Sequence, residues 1–227
     1  CPVVAIVLGR QRQHGPRGQV GEPLRRAELH QQRGACEQYV DRGAQRARDE
    51  ARILDGRPPH AQHHEMVLAA LNAGKHVLCE KAFTINAREA SELIDVARSR
   101  GLFLMEAMWS RFLPSMQRAF QIAASGELGD IHWITADLGF PAPYSPTARL
   151  WARNDGGGAL LDLSVYPLLW ALGTLGFPHT VSATGFVNDD GVDSQNAMTL
   201  GYGHAAQVQL TSSLLAHGPR TATVAGS

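Results

Sequence analysis

The chain is poor in cysteine, in lysine, in net charge and in long apolar runs. Its three cysteines, Cys1, Cys36 and Cys79, have no paired spacing. That excludes a disulfide framework and a cysteine-based zinc site, and fits a reducing, cytoplasmic setting. The formal net charge is zero over 227 residues, so no global field draws the protein to nucleic acid or to a membrane. No apolar run approaches the roughly 18 residues of a membrane-spanning helix, and no signal peptide is visible. Lysine occurs only at positions 75 and 81, so each is conspicuous. The first residue is Cys1 rather than methionine, and the chain reads as a fragment or an incomplete reading frame.

What is present divides near residue 58. Residues 1–57 hold 11 arginines, seven glutamines and seven acidic residues. They contain one apolar run, Val3–Leu8, and little periodicity. Text of that kind buries little apolar area. Its arginines lack the aromatic interleaving or helical face of a nucleic-acid patch. The segment reads as an out-of-frame translation, or as a divergent, poorly ordered arm.

Beyond residue 58 the pattern turns regular. His63 to Ala73 predicts a helix with Met66, Val67, Ala70 and Leu71 inward, closed by Gly74. An apolar run over 76–80 predicts a buried strand that ends on Glu80-Lys81. Asn86–Glu89 is a capping box opening a helix with Ala90, Leu93, Ile94 and Ala97 inward. Another short strand is expected over 102–107. Strands and helices alternating at this spacing predict a parallel βα arrangement.

From about residue 110 the style changes. Residues 114–124 look helical and 131–138 look like a strand. Three prolines and three glycines make 139–157 a long loop. Residues 159–175 predict a helix kinked at Pro167. Runs at 180–187, 194–202, 205–215 and 221–225 read as strands, with Gly203-His204 as a hairpin turn. The predicted fold class is therefore α/β. A partial Rossmann-like parallel sheet (58–125) joins an α+β domain with a mainly antiparallel sheet (126–227), cut short at its C-terminal end.

Chemistry-bearing residues fall into a few groups. Asp162 and Tyr166 lie at i and i+4, on one face of their helix. With Lys81 they supply what is needed to move an alcohol proton while a cofactor moves the hydride. Trp109, Arg111 and Phe112 follow a strand end in the βα half, where ligand crevices form, and are expected to line the substrate pocket. His60, His63 and His64 suggest a metal cluster, but adjacent helical histidines diverge by about 100° and no acid or cysteine joins them. No metal site is expected.

Several of these segments resemble the Gfo/Idh/MocA oxidoreductases, the family of glucose–fructose oxidoreductase and inositol dehydrogenase. They are Pro59–His64 (PHAQHH), Ala73–Lys81 (AGKHVLCEK), Met105–Phe112 (MEAMWSRF) and Gly156–Tyr166 (GGGALLDLSVY). The likeness is greatest to the trans-dihydrodiol dehydrogenase branch and covers about 58–226. It implies NAD or NADP as cofactor, with contacts from Pro59, His60, His63, Glu80 and Lys81. It implies hydride transfer from a CH–OH group of a sugar, polyol or trans-dihydrodiol, with Tyr166 taking the proton, Lys81 holding charge and Asp162 completing the cluster. It also implies a homodimer through the antiparallel sheet.

Two departures from the family pattern stand out. Ala82 replaces the motif's proline, which predicts a looser loop. No Gly-x-Gly-x-x-Gly turn appears; Gly9–Gly15 (GRQRQHG) is not one. A non-catalytic remnant with an incomplete cofactor domain is the alternative reading.

Overall fold

The computed structural model describes residues 59–203 and 205–227. The Val3–Leu8 apolar run, the segment around Gly9–Gly15, the aberrant reading of 1–57 and His204 of the hairpin lie outside the described residues.

The first half is a βα unit. Helix α1 (His63–Asn72) buries His63, Val67 and Leu71, spaced four apart. So His63 belongs to the buried stripe, which the apolar pattern alone did not include. Strand β1 (Val77–Cys79) pairs in parallel with β2 (Leu104–Glu106), joined by α2 (Ala87–Ser99). Both helices end on a left-handed glycine, Gly74 (φ 74°) and Gly101 (φ 64°). After each, the next N–H returns to a carbonyl of the last turn: Lys75 to Ala70 at 3.0 Å, Leu102 to Ala97 at 2.9 Å.

At the start of α2, Asn86 Oδ1 accepts from the Glu89 N–H (3.0 Å) and Asn86 Nδ2 donates to Glu89 Oε1 (2.8 Å). The reciprocal arm thus runs between side chains, not to the backbone. Val67, Leu71, Val77, Cys79, Leu93 and Ala97 form the core of this half. Ile94 is only partly buried, a departure from the inward stripe. Leu78 alternates to the other face and is 61% exposed.

Helix α3 (Pro114–Ser125) ends on left-handed Gly126, and β3 (Ile131–Gly139) begins the second half. The sheet there has the order β4-β5-β6-β3-β7, with β4 Thr180–Val187, β5 Asp193–Gly201, β6 Gln207–Ser213 and β7 Ala222–Gly226. Only β3 and β6 run parallel. Helix α4 (Val165–Leu175) covers one face, where Ile134, Ala136, Ala171, Met198, Leu200, Val208 and Leu210 meet. The stretch Arg153–Leu175 is apolar enough by length and mean hydropathy (1.4) to cross a bilayer. Its packing on the sheet accounts for that character.

The helix irregularity is not at Pro167 but just before it. Leu160–Ser164 forms a π turn leading directly into α4. Proline has no N–H to return to the Leu163 carbonyl, so the ladder changes spacing ahead of it. Asp193 anchors this turn: its Oδ2 accepts from the Leu160 N–H (2.8 Å) and from Asn196 Nδ2 (3.0 Å).

Candidate active site

The C-terminal edge of β1 and the π turn face each other. Lys81 lies two residues past the strand. Its Nζ donates to Asp162 Oδ1 (2.9 Å) and to the Asp162 carbonyl (2.8 Å). Arg149 Nη1 donates to the same Oδ1 at 2.8 Å. Burial alone would raise the Asp162 carboxyl, but the hydrogen bonds from Arg149 and Lys81 overcome it and hold the group below its usual range. His60 Nε2 is 3.9 Å from the same oxygen, and His60 Nδ1 lies 2.8 Å from the Gly156 carbonyl. Burial lowers the His60 pKa. The neutral ring then donates from Nδ1 and leaves the Nε2 lone pair toward the cluster.

Gly156 lies directly against His60 and Ile85 of the first half. It adopts φ 74°, and a Cβ there would lie 2.9 Å from His60 Cβ and from Ile85 Cγ2. Only glycine meets both demands.

Tyr166, one turn beyond Asp162, completes the group. The Lys81 ammonium stands 5.3 Å from the Tyr166 ring centroid. It is over the ring, while the hydroxyl accepts a hydrogen bond from Trp109 Nε1 at 3.2 Å. The Trp109 and Tyr166 rings meet edge to face, centroids 6.1 Å apart. Lys81, Asp162 and Tyr166 therefore converge, with Trp109 beside them.

Other expected residues sit elsewhere. Trp109–Phe112 forms a short 3₁₀ turn. Arg111 stacks over Phe120 at 4.6 Å, and Phe112 packs on Phe103 and Met105. Neither contact reaches the Lys81–Asp162–Tyr166 cluster. The Pro59 carbonyl closes a turn by accepting from the Gln62 N–H (2.9 Å). Glu80 is exposed, and its carboxylate accepts the Lys81 N–H at 3.2 Å.

His63 Nδ1 donates to the Ala82 carbonyl (2.9 Å), and Ala82 is 3% exposed. The loop after Lys81 is thus tied down, contrary to the looseness expected from alanine at this position. His64 faces Glu92 at 3.1 Å. Among the described residues, no three His, Cys, Asp or Glu side chains are placed to share a metal ion.

Two residues were not singled out from sequence. Arg149 lies in a loop with no periodicity to mark it. Glu106 interrupts the apolar run 102–107, and that interruption was its signal. It is 3% exposed; Oε1 accepts from the Phe83 N–H (3.0 Å), while Oε2 is buried without a partner. Burial pushes its pKa up to about 7, with Glu80 adding to the rise and Phe83 and Lys81 opposing it. Burial, with Glu106 and Glu80, pushes the Cys79 thiol up to about 12.

A pH effect follows. Glu106 binds its proton more tightly folded than unfolded. Its contribution is full below about pH 4.5 and is lost as pH rises through about 7. His60, held neutral, works in the opposite sense over part of that range. The difference between wild type and Glu106→Gln isolates the carboxyl. In denaturant titrations, wild type should lose about 2–3 kcal/mol relative to the variant between pH 4.5 and 8. Parallel stability curves would show Glu106 ionised in the fold.

The donor set at this edge fits the nicotinamide–ribose end of a dinucleotide. Glu80 offers an exposed carboxylate for ribose hydroxyls, Lys81 an ammonium with two of its three donors on Asp162, and Trp109 (57% exposed) a flat aromatic surface. Among the described residues, no glycine-rich turn follows a parallel strand to take a pyrophosphate.

Residues 116–227 match the GFO/IDH/MocA C-terminal domain. Residues 30–108 match the oxidoreductase family with an NAD-binding Rossmann fold. The second match begins upstream of the composition break near residue 58. The chain is 39% identical over 170 residues to the trans-1,2-dihydrobenzene-1,2-diol dehydrogenase of Mus musculus, covering 74% of this chain and 50% of that protein. It is 41% identical over 125 residues to the D-xylose 1-dehydrogenase (NADP(+)) of Hypocrea jecorina, covering 52% of this chain and 32% of that one. A solved NAD binding oxidoreductase from Klebsiella pneumoniae superposes with a TM-score of 0.65 at 29% identity, over 75% of this chain and 50% of that one. The chain thus spans about half the length of the dihydrodiol dehydrogenases it matches.

Proposed function

Because the chain belongs to the GFO/IDH/MocA oxidoreductase family, we propose that it transfers hydride between a CH–OH group and NAD or NADP. The substrate class is a sugar, a polyol or a trans-dihydrodiol, as the names of its relatives suggest. The observation that carries the reading is the meeting of Lys81, Asp162 and Tyr166 at the C-terminal edge of the parallel strands, where α/β folds place ligands.

When bound, the nicotinamide would supply the hydride acceptor or donor. The chain's own residues manage the proton. In oxidation the substrate hydroxyl gives its proton to Tyr166 in its phenolate form, which becomes the phenol, as the substrate's C–H bond breaks; in reduction the phenol gives that proton back and is left as phenolate. The Lys81 ammonium stands over the Tyr166 ring, 5.3 Å from its centroid, and keeps a positive charge beside the reacting oxygen. Asp162 holds Lys81 in place with two hydrogen bonds. Arg149 holds Asp162 through a hydrogen bond to the same carboxylate oxygen. Trp109 covers the hydroxyl from the solvent side. A cytoplasmic location belongs to the same proposal, in keeping with Cys79, which is free and buried.

The reading includes a homodimer. The sheet face away from α4 carries Trp133 and Thr135 on β3 and Gln207, Gln209 and Thr211 on β6, and Trp133 is 46% exposed. Such a face suits a second copy of itself. Light scattering should give a dimer for wild type and a monomer for Trp133→Glu. A monomeric wild type would remove the dimer from the proposal.

Cofactor binding tests the functional reading. Fluorescence and thermal shift with NADPH and NADH should show saturable binding of one or both. No binding of either would favour the non-catalytic remnant.

A further inference from the structure

The buried carboxyl of Glu106 is not used by the proton-transfer scheme. It lies at the end of β2, opposite Cys79 in the parallel ladder, below the loop that carries Lys81. Burying a carboxyl at 3% exposure is costly unless it makes hydrogen bonds. Glu106 makes one to the protein, from the Phe83 N–H at 3.0 Å. The neighbouring residue, Ala82, is held through its carbonyl by His63 at 2.9 Å. The two ties grip the loop immediately after Lys81, one from each strand-flanking element. Both lie within two residues of the lysine, whose ammonium must reach Asp162.

We propose that Glu106 is a positioning residue for Lys81: by accepting the Phe83 N–H it fixes the loop that carries the ammonium to Asp162 and to the face of Tyr166. The importance of that positioning for turnover rests on the function proposed above; the positioning itself does not. Glu80, Lys81 and Cys79 are the titratable groups that face the carboxyl.

The chain's two lysines make the test direct. Lys75 is exposed, whereas the Lys81 side chain is 14% exposed and held by Asp162. Limited acetylation of the intact protein with an N-hydroxysuccinimide acetate, followed by mass spectrometry, gives the rate at Lys81 relative to Lys75 as internal standard. No cofactor or substrate is needed, so the outcome is independent of whether the protein is an active dehydrogenase.

In wild type Lys81 should react at least tenfold more slowly than Lys75. Glu106→Leu keeps the volume and removes the acceptor, and should raise the Lys81 rate at least fivefold while leaving Lys75 unchanged. Glu106→Gln keeps an acceptor for Phe83 and should stay within twofold of wild type. A folded Glu106→Leu protein with wild-type protection at Lys81 would overturn the proposal. So would a Glu106→Gln protein whose protection is lost. If Glu106→Leu does not fold, Glu106→Ala is read in its place, with the same expected rise at Lys81 and the same overturning result.

Discussion

Replacing Tyr166 by phenylalanine is expected to cut turnover by roughly 10²–10⁴, the usual worth of a general acid–base. The substitution removes one oxygen and little else. Tyr166 is half-buried, and its ring keeps its edge-to-face contact with Trp109. The lost hydrogen bond came from Trp109 Nε1, which is exposed enough for water to replace it. Stability and cofactor affinity should therefore change little. In steady-state kinetics the loss should fall on kcat, with KM for the cofactor nearly constant. An unaffected kcat would remove Tyr166 from the mechanism and leave Asp162 or a bound water as the base.

Asp162→Ala is expected to act on both stability and rate. The carboxylate pairs with both Lys81 and Arg149, and its side chain is 8% exposed. Without it, Lys81 keeps a desolvated charge and loses its partner. A fully buried pair broken this way costs about 3–5 kcal/mol. Arg149 is 51% exposed and can turn into water, so a loss of about 2–4 kcal/mol is expected. For a domain of this size that is a melting point lower by roughly 5–15 °C.

The pH dependence gives a second check. The Asp162 pKa is depressed in the fold. Its stabilisation is complete above the ordinary carboxylate pKa and is lost as pH falls through the folded value. Below about pH 4, the gap between wild type and Asp162→Ala should close. A constant gap across pH would mean that the carboxylate's charge contributes nothing. Turnover should fall with the substitution as well, because the ammonium loses the group that orients it.

Much of this architecture is legible in the residue pattern. The four late strands stand within two residues of the β-like runs that predicted them, because turn residues mark where such runs end. The glycine-closed helices α1 and α2 were legible for the same reason: left-handed closure demands glycine. The π turn was not, since apolar spacing in an amphipathic helix does not distinguish one extra residue in a turn. Sequence likewise joined Lys81 to Asp162 and Tyr166 through family motifs, but it could not supply Arg149. A loop residue brought to a site by the path of the chain leaves no periodic mark. Arg111 and Phe112 follow Trp109 in the same turn, and their contacts are with Phe120 and with Phe103 and Met105.

The most direct measurement follows the hydride itself. A panel of sugars, polyols and trans-dihydrodiols deuterated at the carbinol carbon is incubated with the protein and NAD or NADP, and the nicotinamide is analysed by mass spectrometry. The account predicts deuterium on the nicotinamide from at least one member with the wild-type protein, and transfer slowed roughly 10²–10⁴-fold with Tyr166→Phe. Cofactor binding without deuterium transfer from any member would contradict it.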